Sequence, residues 1–157
     1  MRSIQRTTTP SIRPSNDQDG DMPLIEIDLM EGHSPEVHRE LVARCTALYA
    51  EIVVAPIERF RAAVKVIPAD QWGLGGVPAT ERVSPLIKIY LMEGRPLELL
   101  HRLLREMSAL VAEILQIPID QTRVLLTEIP VTHWGIGGVP ASEARAAEIA
   151  ARAAQTT

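Results

Sequence analysis

The sequence predicts an α+β fold built from two tandem β-α-β units, and three observations predict it. The stretch Gln71-Trp72-Gly73-Leu74-Gly75-Gly76-Val77-Pro78-Ala79 returns as His133-Trp134-Gly135-Ile136-Gly137-Gly138-Val139-Pro140-Ala141, 62 positions later. Everything upstream repeats at the same offset without a gap: residues 22–32 align on 84–94, Pro56-Ile57 on Pro118-Ile119, Arg61 on Arg123, and Ile67-Pro68 on Ile129-Pro130. Within each copy an alternating run precedes a long run of helical period, and a second short apolar run follows. A unit of about 60 residues buries only roughly 60% of its unfolded surface. The two copies are therefore expected to share one core.

Residues 1–21 carry three aspartates and only two large aliphatic side chains, Ile4 and Ile12. Nothing there can offset the entropy of ordering, so they read as a disordered tail or a mis-assigned start. Residues 22–83 form the first repeat and 84–157 the second. From Pro23 to Met30 the chain alternates, with Leu24, Glu26 and Asp28 on one face and Ile25, Ile27 and Leu29 on the other. That period of two predicts a strand with one apolar face. Ser34 is placed as a helix N-cap ahead of Pro35. Val37, Leu41, Cys45, Leu48 and Ile52 then mark an apolar helix stripe that Pro56 is expected to stop. Residues 60–67 predict the second strand, which should run parallel to the first.

In the second copy, residues 86–91 predict a strand and Pro96 opens a helix. The stripe there is wider: Leu99, Leu100, Leu103, Leu104, Met107, Leu110, Val111, Ile114 and Leu115. Pro118 is expected to stop that helix, and residues 124–129 to form the last long strand. The alanine-rich run 142–154 favours a terminal helix. The paired Gly-rich stretches predict hairpins. A phosphate loop is excluded, since no Gly-Lys-Ser/Thr follows and no long helix opens there.

Composition narrows the function. A net charge of −4 and a pI near 5.6 argue against nucleic acid as a partner. No apolar run approaches the roughly 20 residues a membrane span needs. The start lacks the apolar core of a secretory signal. The single cysteine, Cys45, excludes an internal disulfide and suits a reducing cytoplasm. Cys45 itself reads as a core residue, and His38 and His101 as solvated side chains without metal-ligand companions.

A proline opening the first strand, Glu-Gly after it, an arginine in the second strand and an aromatic before Gly-Ile-Gly-Gly together form a specific combination. It resembles the 4-oxalocrotonate tautomerase group of the tautomerase superfamily, and the arrangement is similar to that group's fused members. The resemblance covers both repeats, about residues 22–145. It implies a four-stranded sheet with two helices on one face, assembled as a homotrimer. It implies an isomerase that needs no cofactor or metal and moves a proton in keto–enol interconversion of a small 2-oxo or 2-hydroxydienoate carboxylate.

The same resemblance implies the site. The catalytic proline falls on Pro23. Its counterpart Pro85 is acylated by Ser84, so its nitrogen is an amide with no basic lone pair. The loop arginine falls on Arg95 in the second copy but on His33 in the first, and the strand arginine on Arg61 and Arg123. The aromatic falls on Trp72 and Trp134. Trp134 is expected beside Pro23, His33 is expected as the loop residue there, and a strand arginine is expected from a neighbouring chain. Pro23 must be a free amine to act, so the enzyme reading requires a chain that begins at Pro23. If residues 1–22 stay attached, the expectation becomes a catalytically inactive oligomeric scaffold. A hydrolytic dehalogenase or decarboxylase of the same superfamily ranks lower, because Leu74 and Ile136 supply no carboxylate to activate water.

Overall fold

A computed structural model describes residues 23–79 and 84–155. The tail read at 1–21, Met22 and the repeat boundary at 83/84 lie outside the described residues or at their edge. Strand β1 (Leu24–Met30) leads to helix α1 (Pro35–Val53) and strand β2 (Arg61–Ile67). A hairpin of two short strands follows, β3 (Gly73–Leu74) and β4 (Val77–Pro78). The second copy repeats the series: β5 (Leu86–Met92), α2 (Leu97–Leu115), β6 (Arg123–Ile129), β7 (Gly135–Ile136) and β8 (Val139–Pro140). Two terminal helices complete it, α3 (Ala141–Ala144) and α4 (Ala146–Gln155).

Each β-α-β unit pairs its strands in parallel, β1 with β2 and β5 with β6. The units join through β1 and β5, which run antiparallel, giving one four-stranded sheet in the order β2-β1-β5-β6. Ile25, Ile27 and Leu29 of β1 and Ile87, Ile89 and Leu91 of β5 point to one face and are buried there. Helices α1 and α2 cover that face with Leu41, Cys45, Tyr49, Ile52, Leu103, Met107 and Val111. The helices pair antiparallel, tied by Arg44–Glu113 at 2.7 Å and Arg102–Glu51 at 3.4 Å. The opposite face carries Leu24, Glu26, Asp28, Lys88 and Tyr90, and no helix covers it among the described residues. Its ions are mutually paired, Lys88 with Asp28 at 2.6 Å and Lys65 with Glu26 at 2.8 Å.

Ser34 caps α1 as expected, accepting from the Val37 amide at 3.3 Å with Pro35 in the first turn. The prolines do not stop the helices. Val54 and Gln116 do, each in the left-handed conformation with φ of 53° and 55°. Their N–H groups turn back to the carbonyls of the last helical turn. Pro56 and Pro118 instead open one-turn 3-10 segments that lead into the second strands. The glycine pairs make the hairpin turns: Gly75 and Gly76 have φ of 62° and 84°, the two positive values that a type I′ turn requires. The terminal helix differs from its expectation. It breaks at Arg145, whose φ of −129° leaves helical space.

Candidate active site

Pro23 is buried at the head of β1, and its carbonyl accepts from the Arg61 amide at 2.9 Å. The register sets what else lies at this end of the sheet. Leu24 pairs with Tyr90, near the end of β5, so the segment after β5 turns at the Pro23 end. That segment holds Gly94 and Arg95. Strand β6 runs parallel to β5 and ends at Ile129 opposite Met92, so the hairpin led by Trp134 emerges at the same end. Val131 and Gly94 line one hollow of about 360 Å³, which brings that hairpin and the Arg95 segment together.

His33 is not beside Pro23. It follows the far end of β1, and a seven-residue strand spans about 23 Å at 3.3 Å per residue. Antiparallel pairing of the repeats crosses the loops over. Each unit's loop after its first strand turns beside the other unit's proline. Pro23 therefore shares its end of the sheet with Arg95, Trp134 and Arg61, and Pro85 shares its own with His33, Trp72 and Arg123. The first set keeps arginine at the loop position. In the second set, burial first and the nearby His38 second hold the His33 imidazole below its usual 6.5, which favours its neutral form.

The arginines differ in how they are held. Arg61 is exposed and donates through Nη1 to the carbonyls of Phe60 at 3.2 Å and Glu58 at 3.4 Å. Arg123 does the same to Asp120 and Thr122, at 2.6 and 2.7 Å. Neither forms an ion pair among the described residues. Arg95 is half-buried and donates to the Val53 carbonyl at 3.2 Å. Trp72 and Trp134 are each half-buried. Pro85 is fully buried behind Ser84.

No group of three or more His, Cys, Asp or Glu side chains among the described residues could hold a metal ion. No helix there is long and apolar enough to cross a membrane. Cys45 is buried beneath the sheet, and burial pushes its thiol up to about 12, so it is no nucleophile. Sequence reasoning overlooked Tyr49. It follows Cys45 by four positions on the same helix stripe, is fully buried, and donates its hydroxyl to the Tyr90 carbonyl at 3.2 Å. It also overlooked Arg59 and Glu148, which meet at 3.5 Å at the Pro23 end of the sheet.

The model of the family described as "Tautomerase enzyme" matches the chain twice, at residues 23–82 and 85–144. The 2-hydroxymuconate tautomerase of Pseudomonas sp. (strain CF600) is 44% identical over 61 residues, 39% of this chain and 97% of the relative. That of Pseudomonas putida is 44% identical over 59 residues, 38% of this chain and 94% of the relative. A crystal structure of a native fused 4-OT superposes with a TM-score of 0.73 and 34% identity, covering 80% of this chain and 98% of that one. A fused 4-OT described as a wild-type asymmetric trimer superposes with a TM-score of 0.72 and 32% identity, covering 76% of this chain and 97% of that one.

Proposed function

The chain belongs to the tautomerase family and is an isomerase of that kind, and from that premise we propose that it interconverts keto and enol forms of a small 2-oxo or 2-hydroxydienoate carboxylate with Pro23 as the base. The observation that supports the reading is the antiparallel register of β1 and β5, which turns the Arg95 segment at the Pro23 end of the sheet and the His33 segment at the Pro85 end.

The Pro23 nitrogen acts only as a free secondary amine, so the active form begins at Pro23. Burial and nearby cations disfavour the protonated amine and lower its pKa towards the operating pH. The amine takes a proton from the 2-hydroxyl or the allylic carbon of the substrate and returns it two atoms along the conjugated system. Charge then builds on the 2-oxygen. A guanidinium that donates in a bidentate fork to the adjacent carboxylate and oxygen stabilises that charge. Arg61 and Arg95 are the candidates within one chain, and a neighbouring copy supplies a further strand arginine. Trp134 walls the pocket and excludes water, which strengthens those contacts. A homotrimer would cover the open sheet face, where Leu125 is half-exposed beside the paired ions, and the trimeric state of a fused relative supports it.

The test compares three proteins on 2-hydroxymuconate, the substrate in the relatives' names, by its loss of ultraviolet absorbance. Protein beginning at Pro23 should be active, and its Pro23→Ala variant should lose at least about 100-fold in kcat/KM, the usual reach of general-base catalysis. The full chain, with Pro23 acylated, should be inactive by a similar factor. Equal activity in the Pro23→Ala variant would sink the proposal.

A further inference from the structure

The loop that carries Arg95 lacks both tethers that hold its counterpart in the first repeat. There, Ser34 follows His33 and accepts from the Val37 amide at 3.3 Å, and Glu31 Oε1 accepts from the Ala69 amide at 2.8 Å. In the second repeat Pro96 stands in place of Ser34, and α2 opens with no side-chain cap. Glu93 stands in place of Glu31 and makes no corresponding bond to Val131 among the described residues. Helix α4 lies against this same loop. Ile149, Arg152 and Ala153 line the 360 Å³ hollow together with Glu93, Gly94 and Val131. Ala151, Arg152 and Gln155 line a larger cleft of about 810 Å³ together with Arg95, Pro96 and Leu99. Ile149 and Arg152 are the two partly buried residues of α4, and both border the loop. The helix is docked at its head, where Glu148 reaches Arg59 at 3.5 Å and Arg145 at 3.8 Å.

This helix is an addition to the family unit. The two family matches end at residues 82 and 144, and α4 begins at Ala146. The first repeat has no room for an equivalent, since only residues 80–83 separate Ala79 from Ser84. We propose that α4 is a positioning element for Arg95. It restrains the 93–96 loop in place of the two missing tethers, and Ile149 is the residue through which it does so. The physical reason is conformational entropy. Arg95 has a long side chain and follows Gly94, which sits at φ 96°. If both were free, substrate binding would have to order them, at a cost in affinity. Arg95 is instead half-buried with Nη1 on the Val53 carbonyl at 3.2 Å, so a restrained loop presents a guanidinium that is already confined. The inference rests on the proposed role of Arg95 at the Pro23 site.

Steady-state kinetics on 2-hydroxymuconate with protein beginning at Pro23 tests it, together with hydrogen exchange measured without substrate. Ile149→Asp, which places a charge against the loop, should raise KM about fivefold, the scale of ordering one long side chain on binding, and leave kcat within about twofold. Combined with Arg95→Gln it should add nothing to that variant's own KM, because α4 acts through Arg95. The amides of Gly94 and Arg95 should exchange faster in Ile149→Asp, while those of Gly32 and His33 keep their rates. An unchanged KM, or effects of Ile149→Asp and Arg95→Gln that multiply, would overturn the inference and leave the proposed function standing. If protein beginning at Pro23 is inert, the proposed function fails, and unchanged exchange at Gly94 and Arg95 would overturn the restraint by itself. Should Ile149→Asp lose the native circular dichroism spectrum, Ile149→Ala, which only shortens the side chain, takes its place with the same outcomes.

Discussion

Arg95 and His33 occupy the same position in the two repeats, and the register sends them to opposite ends of the sheet. The consequence is chemical. On the proposed function, the proline that can become a free amine shares its end of the sheet with a permanent cation, while the acylated Pro85 shares its end with an imidazole whose pKa burial lowers. On the proposed function, Arg95→Gln should raise KM for 2-hydroxymuconate about tenfold or more, the scale of one lost hydrogen bond to a charged group. His33→Gln should leave both kcat and KM within about twofold. Steady-state kinetics on protein beginning at Pro23 separates the two, and a KM effect at His33 instead of Arg95 would reverse the assignment. The opposite placement was not legible from the residues, because a carried-over position says which loop holds a side chain and not which proline that loop meets.

At the scale of elements, the local rules held wherever a side chain could enforce them. The alternation in β1, the Ser34 cap and the glycine-pair turns all follow from short-range geometry, and the structure has them where the sequence put them. The helix ends did not follow the prolines. Val54 adopts φ 53° four residues beyond the buried Tyr49-Ala50 pair while it is 88% exposed, so burial offsets nothing of its strain. A β-branched residue there costs about 1–2 kcal/mol relative to a residue that accepts the left-handed region. Val54→Gly should therefore stabilise the protein by about 1 kcal/mol, less the extra unfolded-state entropy of glycine. Thermal unfolding should show a rise of roughly 2–4 °C for a chain of this size. A fall would mean that Val54 is packed in the assembly. Tyr49 was legible as the next i+4 position after Cys45. The split between α3 and α4 at Arg145 was not, since alanine-rich sequence favours unbroken helix.

At the scale of the whole molecule, the helices cover one face of the sheet and leave the other to ions paired in place and to Leu125, 51% exposed. The proposed homotrimer buries that face. Native mass spectrometry should find three chains per particle, and Leu125→Glu should shift the population to single chains by placing an unpaired charge in the interface. A monomer at micromolar concentration in the unmodified protein would remove the assembly and the neighbouring arginine with it. The two ends of the sheet are also unequal at this scale, since α4 and its cleft stand at the Pro23 end alone among the described residues.

The sequence by itself determined the unit: a gap-free duplication, the strand and helix of each copy, their buried faces, the hairpin turns, and the prolines and arginines that mark the family. These are set by periods and caps that act within a few residues. Only the tertiary structure decided how the copies meet. Antiparallel pairing of β1 with β5 joins residues some 60 positions apart, and it turns the Arg95 segment at the Pro23 end of the sheet and the His33 segment at the Pro85 end. No local pattern encodes such a register, because it is fixed by the shared core that Ile25, Ile27, Ile87 and Ile89 build only once both units are folded against each other.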